Sequence, residues 1–78
     1  MQEFSIEIHS FQEVRDFVSL ATVQPFRVLV GNDRRRVNGK SFMGMFSLDY
    51  SGDLKVTVTC TDEQWAQFSQ ETKRFLAS

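Results

Sequence analysis

The chain has 78 residues, enough surface and core for one domain, and we expect residues 1–78 to form it. Hydrophobic residues make up 41% of the sequence and aromatic residues 13%, which excludes wholesale disorder. The apolar runs are too short to cross a bilayer, and a net charge of −1 excludes a strongly basic nucleic-acid binder.

The single cysteine, Cys60, can form neither an internal disulfide nor a cysteine-rich metal site. The N-terminal residues lack the basic and apolar regions of a signal peptide. These features predict a cytoplasmic domain that holds no metal and no cofactor.

The first predicted strand covers residues 3–9, where apolar and polar side chains alternate and His9 faces solvent. Ser10 and Glu13 then match a capping box, with Ser10 at the N-cap and the Glu13 side chain reaching back. A helix is predicted over residues 11–22. Its expected buried stripe consists of Phe11, Val14, Phe17, Val18 and Ala21.

The middle of the chain predicts two short strands, at 26–30 and 35–38, joined by a turn over residues 31–34. A helix of one or two turns is expected to follow, with Ser41 as its N-cap. Met43 and Phe46 lie three residues apart and therefore share one face of that helix. Its apolar residues cannot all be buried, so one or two of them should be exposed.

A fourth strand is predicted over residues 54–59, and a second capping box, Thr61 to Gln64, opens a C-terminal helix. Lys73 and Arg74 are placed in the last turn of that helix. Its expected buried stripe consists of Trp65, Phe68, Thr72, Phe75 and Leu76. The order βαββαβα predicts an α+β fold, an open-faced β-sandwich whose four-stranded antiparallel sheet carries all helices on one face.

Residues 37–48, Val-Asn-Gly-Lys-Ser-Phe-Met-Gly-Met-Phe-Ser-Leu, carry a family resemblance. The stretch resembles the HPr family, the histidine-containing phosphocarriers of the bacterial sugar phosphotransferase system, which reads Lys-Ser-Ile-Met-Gly-Val-Met-Ser-Leu there. Chain length and element order agree with that family, so the resemblance extends over essentially the whole chain. It implies an HPr-like fold and a role in sugar transport or carbon catabolite regulation.

The chain departs from the family at the phosphoryl-transfer site. Members carry a His-Ala-Arg-Pro motif at the start of the first helix, and ungapped counting places the family histidine on Ser10, the arginine on Gln12 and the proline on Glu13. His9, the one histidine, lies a residue early. Glu13 puts a negative charge where the phosphate would arrive. The sequence therefore favours a regulatory or protein-interaction module without independent catalysis.

The alternative is a working phosphocarrier in which His9 accepts a phosphoryl group from phosphoenolpyruvate through enzyme I, the first enzyme of the system. Fraying of the strand end could bring His9 into register. The competing interpretation of His9 is a solvent-exposed strand residue.

Ser41 aligns with the serine that a dedicated kinase phosphorylates in some family members, with Lys40 beside it. The resemblance thus implies a regulatory phosphoprotein, similar to the catabolite-repression HPr-like branch that keeps this serine without the active histidine. It also implies that Phe42, Met43 and Phe46, together with Lys40, bind partner proteins. The expected partners are phosphotransferase-system proteins or a transcriptional regulator, together with a serine kinase.

Other functions receive less support from the residues. Five basic residues, Arg27, Arg34, Arg35, Arg36 and Lys40, could bind phosphate or an acidic partner, or could simply be solvated. RNA-binding domains share the element order, but the wet face of this sheet lacks aromatic stacking residues. We expect no nucleic-acid or membrane partner, and a monomer in preference to a dimer.

Overall fold

A computed structural model describes residues 2–49 and 51–76. Residues 1, 50, 77 and 78 of the predicted 1–78 domain lie outside the described residues. The elements are β1 (Gln2–Ile6), α1 (Phe11–Thr22), β2 (Val28–Gly31), β3 (Arg36–Asn38), α2 (Phe42–Phe46), β4 (Leu54–Val58) and α3 (Asp62–Glu71), then a 3-10 turn (Lys73–Phe75).

The strands form one antiparallel sheet in the order β1-β4-β2-β3, which confirms the predicted α+β architecture. One face is the core face, where Ile6 pairs with Leu54 and Val30 with Val56, all four side chains being buried. The other face carries mainly polar side chains and is open to solvent. No helix within the described residues is long and apolar enough to cross a membrane.

Phenylalanines from both long helices build the centre of the core. Phe17 of α1 lies 5.7 Å from Phe75, ring centre to ring centre, and Phe68 of α3 lies 5.4 Å from Phe26. Both pairs are edge-to-face, the arrangement that the charge distribution of aromatic rings favours. The predicted stripes of α1 and α3 thus pack on the sheet, Phe11 and Leu76 excepted.

The two ends of the chain differ from the sequence prediction. β1 ends at Ile6 although Ile8 is still buried, so burial continues beyond strand pairing. The C-terminal helix ends at Glu71, and Lys73 and Arg74 lie in the 3-10 turn that follows. That turn brings Phe75 into the core and leaves Leu76 42% exposed, bridged to Ile6, so its predicted burial is wrong.

Candidate functional site

His9 lies between β1 and α1, and its side chain is 70% exposed. Its Nε2 lies 3.2 Å from Oε2 of Glu7. Because β1 ends at Ile6, His9 belongs to the connection and not to the strand. The imidazole therefore pairs with a carboxylate and not with a cation.

Two side chains of the chain itself accept backbone N–H groups around the start of α1. Oγ of Ser10 accepts the backbone N–H of Glu13 at 3.3 Å, as the sequence predicted for an N-cap. The Glu13 carboxylate reaches back one residue further than a capping box requires and accepts the backbone N–H of His9 at 2.6 Å. Two carboxylates, those of Glu7 and Glu13, therefore contact His9.

The N-terminus of α2 has a different environment. Oγ of Ser41 accepts the backbone N–H of Gly44 at 3.1 Å, and the first turn of this helix contains no acidic residue. The neighbouring Lys40 directs its ammonium to the carbonyl oxygen of Gln24, 2.7 Å away, after the end of α1. Ser41 is thus a half-buried N-cap with a cationic side chain next to it in sequence.

An aromatic patch, defined as Phe11, Phe42, Met43 and Phe46, joins the two helix starts. The ring centres of Phe42 and Phe46 are 4.4 Å apart, and those of Phe11 and Phe46 are 4.5 Å apart. Met43 is 80% exposed, whereas Met45 is buried. The structure thus brings the predicted docking residues Phe42, Met43 and Phe46 together on one surface.

Phe11 is the member of this patch that sequence reasoning missed. The predicted buried stripe included it, but its side chain is 57% exposed. Phe11 is the first helical residue of α1, and the rings of Phe42 and Phe46 pack against it, with ring centres 6.4 Å and 4.5 Å away. Its position directly after the N-cap is the sequence signal that could have predicted its exposure.

Cys60 offers no activated nucleophile. Burial raises the pKa of its thiol above the ordinary value, so the neutral thiol predominates at neutral pH. The side chain packs against the hydrophobic core, as expected for a small apolar residue.

Comparisons with known proteins agree on one family. The family model described as "PTS HPr component phosphorylation site" matches residues 11–78. A crystal structure of HPr-C-His from Thermoanaerobacter tengcongensis is similar with a TM-score of 0.74 and 28% sequence identity, over 92% of this chain and 90% of that chain. No curated protein sequence matches the chain.

Proposed function

The chain belongs to the HPr family of the phosphotransferase system, and we propose that it acts there as a regulatory, protein-binding module and not as a phosphoryl carrier. One observation carries this proposal: the Glu13 carboxylate accepts the backbone N–H of His9 at the start of α1. The family match begins at Phe11, so His9 and Ser10 lie outside the matched residues.

The chemistry of phosphoryl transfer explains why this contact matters. A histidine carrier needs N–H groups and a cation to receive a phosphoryl group with its negative charges. Here Glu7 contacts the imidazole and Glu13 occupies the N–H of His9. An arriving phosphoryl group would meet two like charges, and repulsion between close charges costs on the order of 1 kcal/mol or more even near a protein surface.

The aromatic patch supplies the binding function in this proposal. Met43 stands almost free of the core, while Phe42 and Phe46 are half-buried and hold the surface in place. Flexible methionine beside aromatic rings suits contact with more than one partner. Members of the HPr family bind other phosphotransferase-system proteins, and we infer that this patch contacts such a protein or a transcriptional regulator.

Ser41 is the regulatory site in this proposal. A serine kinase would transfer the γ-phosphoryl group of a nucleoside triphosphate to Oγ of Ser41, which loses its proton. Phosphate oxygens can still accept the N–H of Gly44, and the positive end of the α2 dipole favours the added charge. Because Phe42 follows directly, the phosphate would lie at the rim of the aromatic patch and change its charge.

The first test is intact mass at neutral pH after incubation with phosphoenolpyruvate and enzyme I. A phosphorylatable HPr serves as the positive control, since phosphohistidine is lost in acid. We expect no mass gain in this chain while the control gains one phosphoryl group. A gain that His9→Ala abolishes would establish the alternative, a working carrier that uses His9.

The docking surface is tested with Met43→Glu, which places a charge on the most exposed part of the patch. We expect at least about tenfold weaker binding to enzyme I in calorimetry, because a charge loses about 1.4 kcal/mol or more on entering an apolar interface. Val23→Glu is the matched control, since Val23 is 74% exposed at the far end of α1. Equal weakening by both variants would contradict docking through this patch.

A further inference from the structure

The open face of the sheet places two cationic side chains on either side of a glycine. Gly31 of β2 pairs with Arg36 of β3 on one side and with Lys55 of β4 on the other. Cross-strand neighbours share a face of the sheet, so Arg36 and Lys55 project from the same surface. Ser5 pairs with Lys55 and completes the row.

Gly31 contributes no side chain between Arg36 and Lys55, and the stem of Arg36 fills part of that space. A Cβ built on Gly31 would lie 2.8 Å from Cγ of Arg36 and 2.6 Å from the carbonyl oxygen of Arg35. The stem of Arg36 therefore lies over the glycine, on the side of β3 that faces Lys55. The missing side chain at residue 31 is what permits this approach.

This row forms the floor of a groove of about 600 Å³. The groove is within the size range of small-molecule sites. Leu29 and Thr57, paired across β2 and β4, form the next row of the floor. The charged residues lining the groove are Arg34, Arg35, Arg36 and Lys55, against Asp33 and Asp53.

The cations on the floor lack strong internal partners. Nζ of Lys55 lies 3.9 Å from Oε1 of Glu3, and both side chains are about half exposed, so solvent screens that pair. Arg36 makes no ion pair with any residue in 2–49 or 51–76. An anion bound between two cations that line the same groove offsets their mutual repulsion.

We propose that this groove binds a small hydroxylated phosphate monoester, with Arg36 and Lys55 holding the phosphate. A guanidinium group matches two phosphate oxygens at once, and the lysine ammonium adds a point charge. Asp33 and Asp53 lie at the turn end of the groove, where their carboxylates accept hydrogen bonds from hydroxyl groups. The same carboxylates repel a long polyanion, which favours a small ligand over an acidic peptide.

The test is a titration of ¹⁵N-labelled protein with glycerol 3-phosphate and, separately, with inorganic phosphate, at constant ionic strength set with chloride. Backbone amide shifts at Gly31, Arg36 and Lys55 should change and saturate. Arg36→Gln should weaken binding about tenfold, the usual loss when one charged hydrogen bond is removed. Arg15→Gln, which removes one charge from the exposed side of α1, should leave the affinity within about twofold.

The two ligands separate the sources of the phosphate group. Tighter binding of glycerol 3-phosphate supports the ester, and equal binding of inorganic phosphate would overturn both the ester and the hydroxyl contacts of Asp33 and Asp53. Shifts that spread over exposed basic residues without saturation, or equal effects of the Arg36 and Arg15 variants, would overturn the proposal. Binding of an acidic peptide at Arg36, when neither phosphate compound binds there, would overturn the proposal as well.

Discussion

The starts of α1 and α2 use the same serine cap in opposite electrostatic surroundings. Ser10 and Ser41 each accept the N–H of the residue three positions later. Beside Ser10 the Glu13 carboxylate accepts the N–H of His9, the residue before the cap, whereas the first turn of α2 contains no acid and follows Lys40. The aromatic patch connects the two starts, through Phe11 on α1 and Phe42 on α2.

This difference shows how a helix start can lose or keep the capacity to receive phosphate without a change of fold. Both termini have the positive dipole end and unpaired N–H groups that attract anions. At α1 the Glu13 carboxylate adds a negative charge beside those groups, so a phosphoryl group gains little there. At α2 the capacity is still available, which is why we place regulation at Ser41.

The largest expected effect tests whether α2 is attached to the core only through its buried side. Met45→Ala should lower the free energy of unfolding by about 2–5 kcal/mol, because Met45 is fully buried. Met43→Ala on the outer side should change it by less than about 0.5 kcal/mol. Urea denaturation measures both variants. A large loss for Met43→Ala would place that side chain in the core and remove it from the docking surface.

The next effect compares added charge at the two caps. Ser41→Asp should change the affinity for enzyme I about tenfold, equivalent to about 1.4 kcal/mol, because the charge is new to that surface. Ser10→Asp should have a smaller effect, since Glu7 and Glu13 already make that terminus acidic. Calorimetry measures the affinity of both variants for enzyme I. Equal changes would remove the distinction between the two helix starts.

A smaller effect concerns the caps as structural elements. Ser10→Ala and Ser41→Ala should each cost about 1 kcal/mol of stability, the usual loss when an N-cap hydroxyl is removed. Hydrogen exchange locates the loss, at the amide of Glu13 in one variant and at the amide of Gly44 in the other. Unchanged protection at either amide would mean that the serine there is not the cap.

The smallest expected effect measures how much a backbone N–H contact alone stabilises a carboxylate that is not at a helix start. Asp49 lies in a loop, where the N–H of Ser51 donates to its carboxylate at 3.0 Å and lowers the pKa of Asp49, with a minor contribution from Arg34. A lowered pKa stabilises the fold above the unfolded-state pKa, and this contribution disappears as pH falls through the folded-state pKa. Melting temperature against pH should therefore fall slightly more steeply for the wild type than for Asp49→Asn.

Most of the fold could be predicted from local patterns in the sequence. Alternation identified the first and last strands, and the turn at residues 31–34 identified the hairpin between them. Each predicted N-cap (Ser10, Ser41 and Thr61) is a cap in the structure. The errors lie where contacts with a neighbouring element decide whether a side chain is buried. Periodicity gives the inward side of a helix but not how far its neighbours extend, so Phe11 and Leu76 were wrongly expected to be buried.

The candidate site was less predictable because it depends on contacts distant in sequence. The motif resemblance identified Ser41 and the apolar residues after it, yet only the packing of α1 on α2 adds Phe11 to the patch. The capping-box spacing predicted that the Glu13 carboxylate would accept the N–H of Ser10, whereas in the structure it accepts the N–H of His9. The cationic row at Gly31 required the strand register, which the run of arginines does not reveal.

The C-terminal turn has a consequence for self-association. Leu76 bridges Ile6, and the N–H of Glu7 donates to the carbonyl oxygen of Phe75 at 2.7 Å, so this segment covers one end of the β1 edge. The opposite edge strand, β3, is only 3 residues long. Short or covered edges offer few free backbone groups to a strand from another molecule. Edge-to-edge pairing, with which aggregation begins, is therefore disfavoured along β3 and at the covered end of β1.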